Sequence, residues 1–128
     1  MKTDADIPQN NAEGAQKLRE LQVAQKLTGI IGMAMKAGKI TAGAELVLDA
    51  VRSPSPKKTP RRVFLSADAS ANTVKRVRNA CTYYETPCEA LYLSSAQLGG
   101  AIGKTGLVAV IGVADAGFAK AIHDRNRK

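Results

Sequence analysis

Tryptophan is absent from this 128-residue chain, and phenylalanine and tyrosine together number only five. So few rings weigh against a surface on which several bases stack upon aromatic platforms. Cysteine is equally scarce: Cys81 and Cys88 stand seven positions apart without a CxxC pair, and His123 is the sole histidine. Neither a zinc site nor a disulfide framework fits that pattern, so both thiols are expected to be reduced, and no metal or cofactor is expected. No apolar run approaches the roughly 18 residues of a membrane-spanning helix. The opening MKTDADIPQNN also lacks a signal-peptide core, which points to a cytoplasmic protein with no membrane partner.

Negative charge is in short supply too, with 11 Asp and Glu against 19 Lys and Arg, a net charge of +8. Residues 1 to 20 hold three positive and four negative side chains, leaving sixteen and seven for residues 21 to 128, so the tail is −1 and the body +9. A body this basic favours an acidic partner, with RNA or DNA ahead of a membrane surface. The length and a hydrophobic content of 45% suit one core. Residues 1–12, polar with Pro8 and three amides, are expected to be a disordered tail, followed by a single domain over 13–124.

From Glu13 the pattern turns helical, with Leu27, Ile30, Ile31 and Ala34 on one stripe and Gly38 in the position of a left-handed C-terminal cap. Gly29 and Gly32 inside this helix predict close approach to another element. A short strand at Lys39–Thr41 precedes a helix over about Gly43–Ser53, which the basic loop SPSPKKTPRR stops with its three prolines. Val63–Ala67 reads as a buried strand, with Asp68 and Ser70 as caps of a helix that places Cys81 inward. Glu89–Leu93 forms the next strand, Ser94 or Ser95 caps a short helix through Ala101, and Leu107–Val113 is a buried strand. Asp115 caps a last helix whose basic end, DRNRK, is expected to fray. Helices and strands thus alternate, which predicts a three-layer α/β/α sandwich around a mixed four-stranded sheet.

No residue set suggests catalysis, and the protein is not expected to be an enzyme. His123 has no serine or cysteine motif beside it, and Asp68, Glu85, Glu89 and Asp115 read as caps or solvated strand ends. Gly103-Lys104-Thr105 fails as a phosphate loop, because Leu98 stands where the first glycine is needed and the order is helix, loop, strand. Lys104 remains a candidate phosphate contact. The strongest candidate site is Met33–Val51, MAMKAGKITAGAELVLDAV: Gly43 and Ala44 let a helix begin close to a ligand, Lys36 and Lys39 supply charge, and Glu45 offers an acceptor to a base amino edge.

The segments IGMAMKAGKITAGAELVLDAV, VFLSADAS, LGGAIGK and VADAGFAKAI, in that order and spacing, resemble the bacterial YlxQ-like branch of the large-subunit ribosomal protein L7Ae superfamily. The resemblance runs from about Gln25 to Ile122. It implies an α/β/α sandwich that binds kink-turn RNA, a sharply bent junction built on sheared G·A pairs, in a ribosomal or ribosome-associated protein; separately, a monomer is expected. Carried over by position, it implies that Gly43 is the RNA-facing helix start, with Glu45 and Leu46 at the G·A pairs and Lys39 as the preceding basic contact. It likewise implies that Tyr92, Leu93 and Ser94 form a hydrophobic loop over bulged nucleotides. At Asp49 the sequence departs from the family, which has a lysine there; an acid cannot donate to guanine O6 or N7. The alternative reading is a protein–protein adaptor on the same fold that no longer reads RNA.

Overall fold

The computed structural model describes residues 6–53, 55, 57 and 59–127. Among these, helices and strands alternate as α1 (Asp6–Lys36), β1 (Ile40–Ala42), α2 (Ala44–Arg52), β2 (Arg62–Leu65), α3 (Ala71–Tyr83), β3 (Cys88–Ala90), α4 (Ser95–Ala101), β4 (Val110–Val113) and α5 (Ala116–Arg125). Local chemistry sets most of the boundaries. Gly38, at φ 72°, ends α1 in a Schellman motif: its N–H donates to the Met35 carbonyl, and the Lys39 N–H donates to that of Ala34. The Ser70 hydroxyl accepts from the Thr73 N–H at the start of α3, and the Asp115 carboxylate accepts from the Phe118 N–H at the start of α5. Ser94 and Gln97 form a reciprocal capping box on α4.

The four strands make one mixed sheet in the order β1-β4-β2-β3, in which only β2 and β3 run parallel. Strand β4 throughout and strand β2 beyond Arg62 are apolar and buried, because both of their faces are covered. Phe64, Ile111 and Val113 turn to a core shared with α1, α4 and α5. Val63, Leu65 and Val110 turn to a second core under α2 and α3. The period of two along each strand therefore separates three layers, as the alternation predicted.

Several expectations are corrected. Helix α1 begins at Asp6, not Glu13, so part of the expected tail is helical, and the disorder expected for residues 1–5 lies outside the described residues. An added Cβ on Gly32 would sit 3.4 Å from the Ala101 carbonyl oxygen, whereas one on Gly29 meets nothing, so only Gly32 marks a close approach. Strand β4 starts at Val110 instead of Leu107, because the Val108 N–H is taken by the Ser95 carbonyl and Leu107 is left exposed. Strand β3 stops at Ala90, after which Leu91 and Leu93 are buried in an irregular segment. Asp68 caps no part of α3; it accepts from the Ser95 N–H and hydroxyl at 2.7 and 3.0 Å and holds the start of α4.

The basic loop after α2 is anchored at both ends. The Thr59 hydroxyl donates to the Ser53 and Ser55 carbonyls, and Pro60 is buried against Gly112, where an added Cβ would come within 2.9 Å of the proline ring. The C-terminus is tied down as well. Asn126 is buried; its Oδ1 accepts from the Tyr92 N–H at 2.9 Å, and its Nδ2 donates to the Ala90 carbonyl and to Glu89. Glu89, expected to be solvated, also faces His123 Nδ1 at 2.6 Å and Arg62 at 3.4 Å.

Candidate nucleic-acid interface

Strand β1 is three residues long, and its direction decides which charges can meet. Its last residue, Ala42, pairs with Ile111, and the Gly43 N–H continues the ladder to the Val110 carbonyl at 2.9 Å. Gly43 thus lies at the end of the sheet where β1, β2 and β3 finish and β4 begins. At φ 98° and ψ 144° it adopts a backbone that only glycine takes without strain. It has no side chain with which to cap α2, so the N–H groups of Ala44, Glu45 and Leu46 open the helix uncapped. The helix dipole adds positive character at the same spot.

Around this helix start lie an exposed leucine of α2 itself and two further elements. Leu46 points outward and is 61% exposed. The loop from Gly103 to Leu107 leads into β4 at this end, carrying Lys104 and Thr105 exposed and Leu107 75% exposed. Arg76, on the neighbouring α3, holds Glu45 with contacts of 2.7 and 3.1 Å to its two carboxylate oxygens. Glu45 is therefore held in place by an arginine, with its carboxylate still largely exposed. Arg76 is a cation at this face that the sequence reading missed, since its partner lies 31 positions away.

Two groups of expected residues fall elsewhere. Lys36 and Lys39 are exposed at the opposite end of β1, where the Lys39 carbonyl accepts from the Ala114 N–H. At about 3.3 Å per residue, the four steps from Lys39 to Gly43 separate them by about 13 Å, so Lys39 does not share the helix start. Leu93 is 1% exposed and belongs to the core with Leu27 and Leu98, because the chain must turn inward there to seat α4. Its neighbours diverge: Tyr92 is exposed, while the Ser94 hydroxyl is committed to the Gln97 N–H. All three line a cleft of about 500 Å³ against the middle of α1, with Leu21, Ala24 and Gln97. The exposed apolar loop beside Gly43 is the one carrying Leu107, and the glycines flanking Lys104-Thr105 were the signal for it.

The fold and this site define a small, basic α/β/α sandwich protein that presents an uncapped helix start and glycine-rich loops at one end of its sheet. The chain belongs to the Ribosomal protein L7Ae/L30e/S12e/Gadd45 family, whose model matches residues 25–123. It is 43% identical over 96 residues to the RNA-binding protein YlxQ of Enterococcus faecium, covering 75% of this chain and 86% of the relative. It is 40% identical over 90 residues to the RNA-binding protein YlxQ of Bacillus subtilis, covering 70% and 84%. Among solved structures, a protein of unknown function from Bacillus halodurans C superposes with a TM-score of 0.69 at 32% identity, over 80% of this chain and 98% of that one. The Giardia lamblia 15.5kD RNA binding protein superposes at 0.64 with 18% identity, over 81% and 84%, a likeness of fold alone. Among the described residues no helix is long and apolar enough to cross a membrane. No group of three or more metal-binding side chains is found among them either.

Proposed function

We propose that this protein is a non-catalytic RNA-binding protein that reads structured RNA of the kink-turn type, as a ribosomal or ribosome-associated component. The observation that carries the reading is the start of α2: Gly43 leaves three backbone N–H groups open at a positive helix end. Lys104 adds an exposed cation, Arg76 stands there paired with Glu45, and Leu46 and Leu107 add exposed apolar surface. Open N–H groups and cations suit phosphate oxygens, while the two leucines suit the faces of unstacked bases. The names of the curated relatives support RNA as the partner. Asp49, exposed one turn beyond Glu45, keeps phosphate away from the middle of α2 and confines the contact to its first turn.

Binding to a kink-turn RNA and to a plain duplex of equal length, titrated across salt, tests this reading. The expected outcome is tighter binding to the kink-turn, with Lys104→Ala lowering the salt slope by about one and Lys39→Ala leaving it unchanged. Equal affinity for the two RNAs would leave only nonspecific charge attraction. The exposed Leu46 and Leu107 also suit a protein–protein adaptor, and a partner retained after nuclease treatment but lost with Leu46→Asp would favour that second reading.

A further inference from the structure

Seven residues after Cys81 the chain brings a second cysteine back against the first. Cys81, in the last turn of α3, is buried in the core under α2 and α3, and Cys88, the first residue of β3, packs half-buried against the same cluster. The turn between them is tight: Glu85 takes a left-handed φ of 56°, and the Thr86 N–H donates to the Cys81 carbonyl at 2.8 Å. The next residue, Glu89, points to the other face of the sheet toward His123, so the β3 alternation directs Cys88 at α3.

We propose that Cys88 and Cys81 are a peroxide-reactive pair that closes to a reversible intramolecular disulfide, with Cys88 reacting first and Cys81 resolving. The two thiols are inequivalent in the required sense. Cys88 is the more accessible, and the donated Cys81 S–H, helped by the Arg78 charge, holds it below the usual thiol value. Cys81 is pushed upward by its contact with the Cys88 sulfur and by burial. The Cys88 thiolate attacks one oxygen of hydrogen peroxide; the O–O bond breaks, Cys88 becomes a sulfenic acid, and hydroxide takes up a proton as water. The Cys81 sulfur then attacks the Cys88 sulfur, the S–S bond forms as the S–O bond breaks, and the Cys81 proton leaves with the hydroxide as a second water. Two thiols are oxidised by two electrons in total, and one peroxide is reduced. The pair lies at the start of β3, away from the start of α2, so the inference stands independently of the RNA reading.

The test uses the full reduced chain, treated with one equivalent of hydrogen peroxide, alkylated, and weighed intact without reductant. Expected is a monomer lighter by two hydrogens that takes up no alkylating agent and regains both thiols with dithiothreitol. A sulfenic-acid trap should label Cys88 in Cys81→Ala and leave Cys81 unlabelled in Cys88→Ser, with circular dichroism confirming that both variants are folded. If Cys81→Ala does not fold, Cys81→Ser replaces it. Two alkylatable thiols after peroxide, a disulfide-linked dimer in place of the closed monomer, or equal trapping at both positions would overturn the proposal.

Discussion

Asp68 ties the loop after β2 to the first residue of α4 with one carboxylate. Both of its oxygens accept from Ser95, and the Ser95 backbone N–H is the chief reason its carboxyl sits below the ordinary carboxylate value. A carboxylate whose value is lowered by folding stabilises the protein fully above its unfolded value of about 3.9. That contribution is lost as pH falls through the folded value. Urea midpoints of the parent and of Asp68→Ala should therefore differ at pH 7 and converge in acid. Parallel curves at all pH values would remove Asp68 as the cause. Asp124, lowered by its Lys120 partner, is intact in both proteins and so cancels from the comparison.

Helix α4 shows how two adjacent glycines carry opposite consequences. A Cβ on Gly99 would overlap the Gly106 carbonyl oxygen, a backbone atom that cannot rotate aside, whereas one on Gly100 meets nothing within 4 Å. Gly99→Ala should destabilise by roughly 1–3 kcal/mol. Gly100→Ala should stabilise by up to about 1 kcal/mol through helix propensity, and chemical denaturation of the two variants reads both signs. The sequence announced neither difference, since both glycines follow the same leucine. It did announce what depends on neighbours in the chain: the Gly38 cap, the Ser70, Ser94 and Asp115 starts, and the inward Val63–Leu65 and Val110–Val113 runs. What it hid depends on residues far apart, such as Arg76 on Glu45 and Asn126 on Tyr92. The site was half legible for the same reason: Gly43 to Leu46 form one local start, but the direction of a three-residue strand carried Lys39 away from it.

At the scale of the molecule, two cores on opposite faces of one sheet leave its two outer strands, β1 and β3, as the places where the ladder stops. Along β3 the Pro87 carbonyl and the Leu91 N–H point inward to β2, so the Ala90 carbonyl and the Tyr92 N–H point outward. Asn126 accepts from the second and donates to the first. A side-chain amide has the same donor and acceptor as a peptide unit. In this position it acts as a single link of a fifth strand, a stopper on a rim that would otherwise template pairing with another chain. Asn126→Ala should therefore cost roughly 1–3 kcal/mol for the orphaned groups, and it should also make the protein self-associate, with light scattering rising with concentration. A destabilised variant that stays monomeric would leave Asn126 a tether and nothing more.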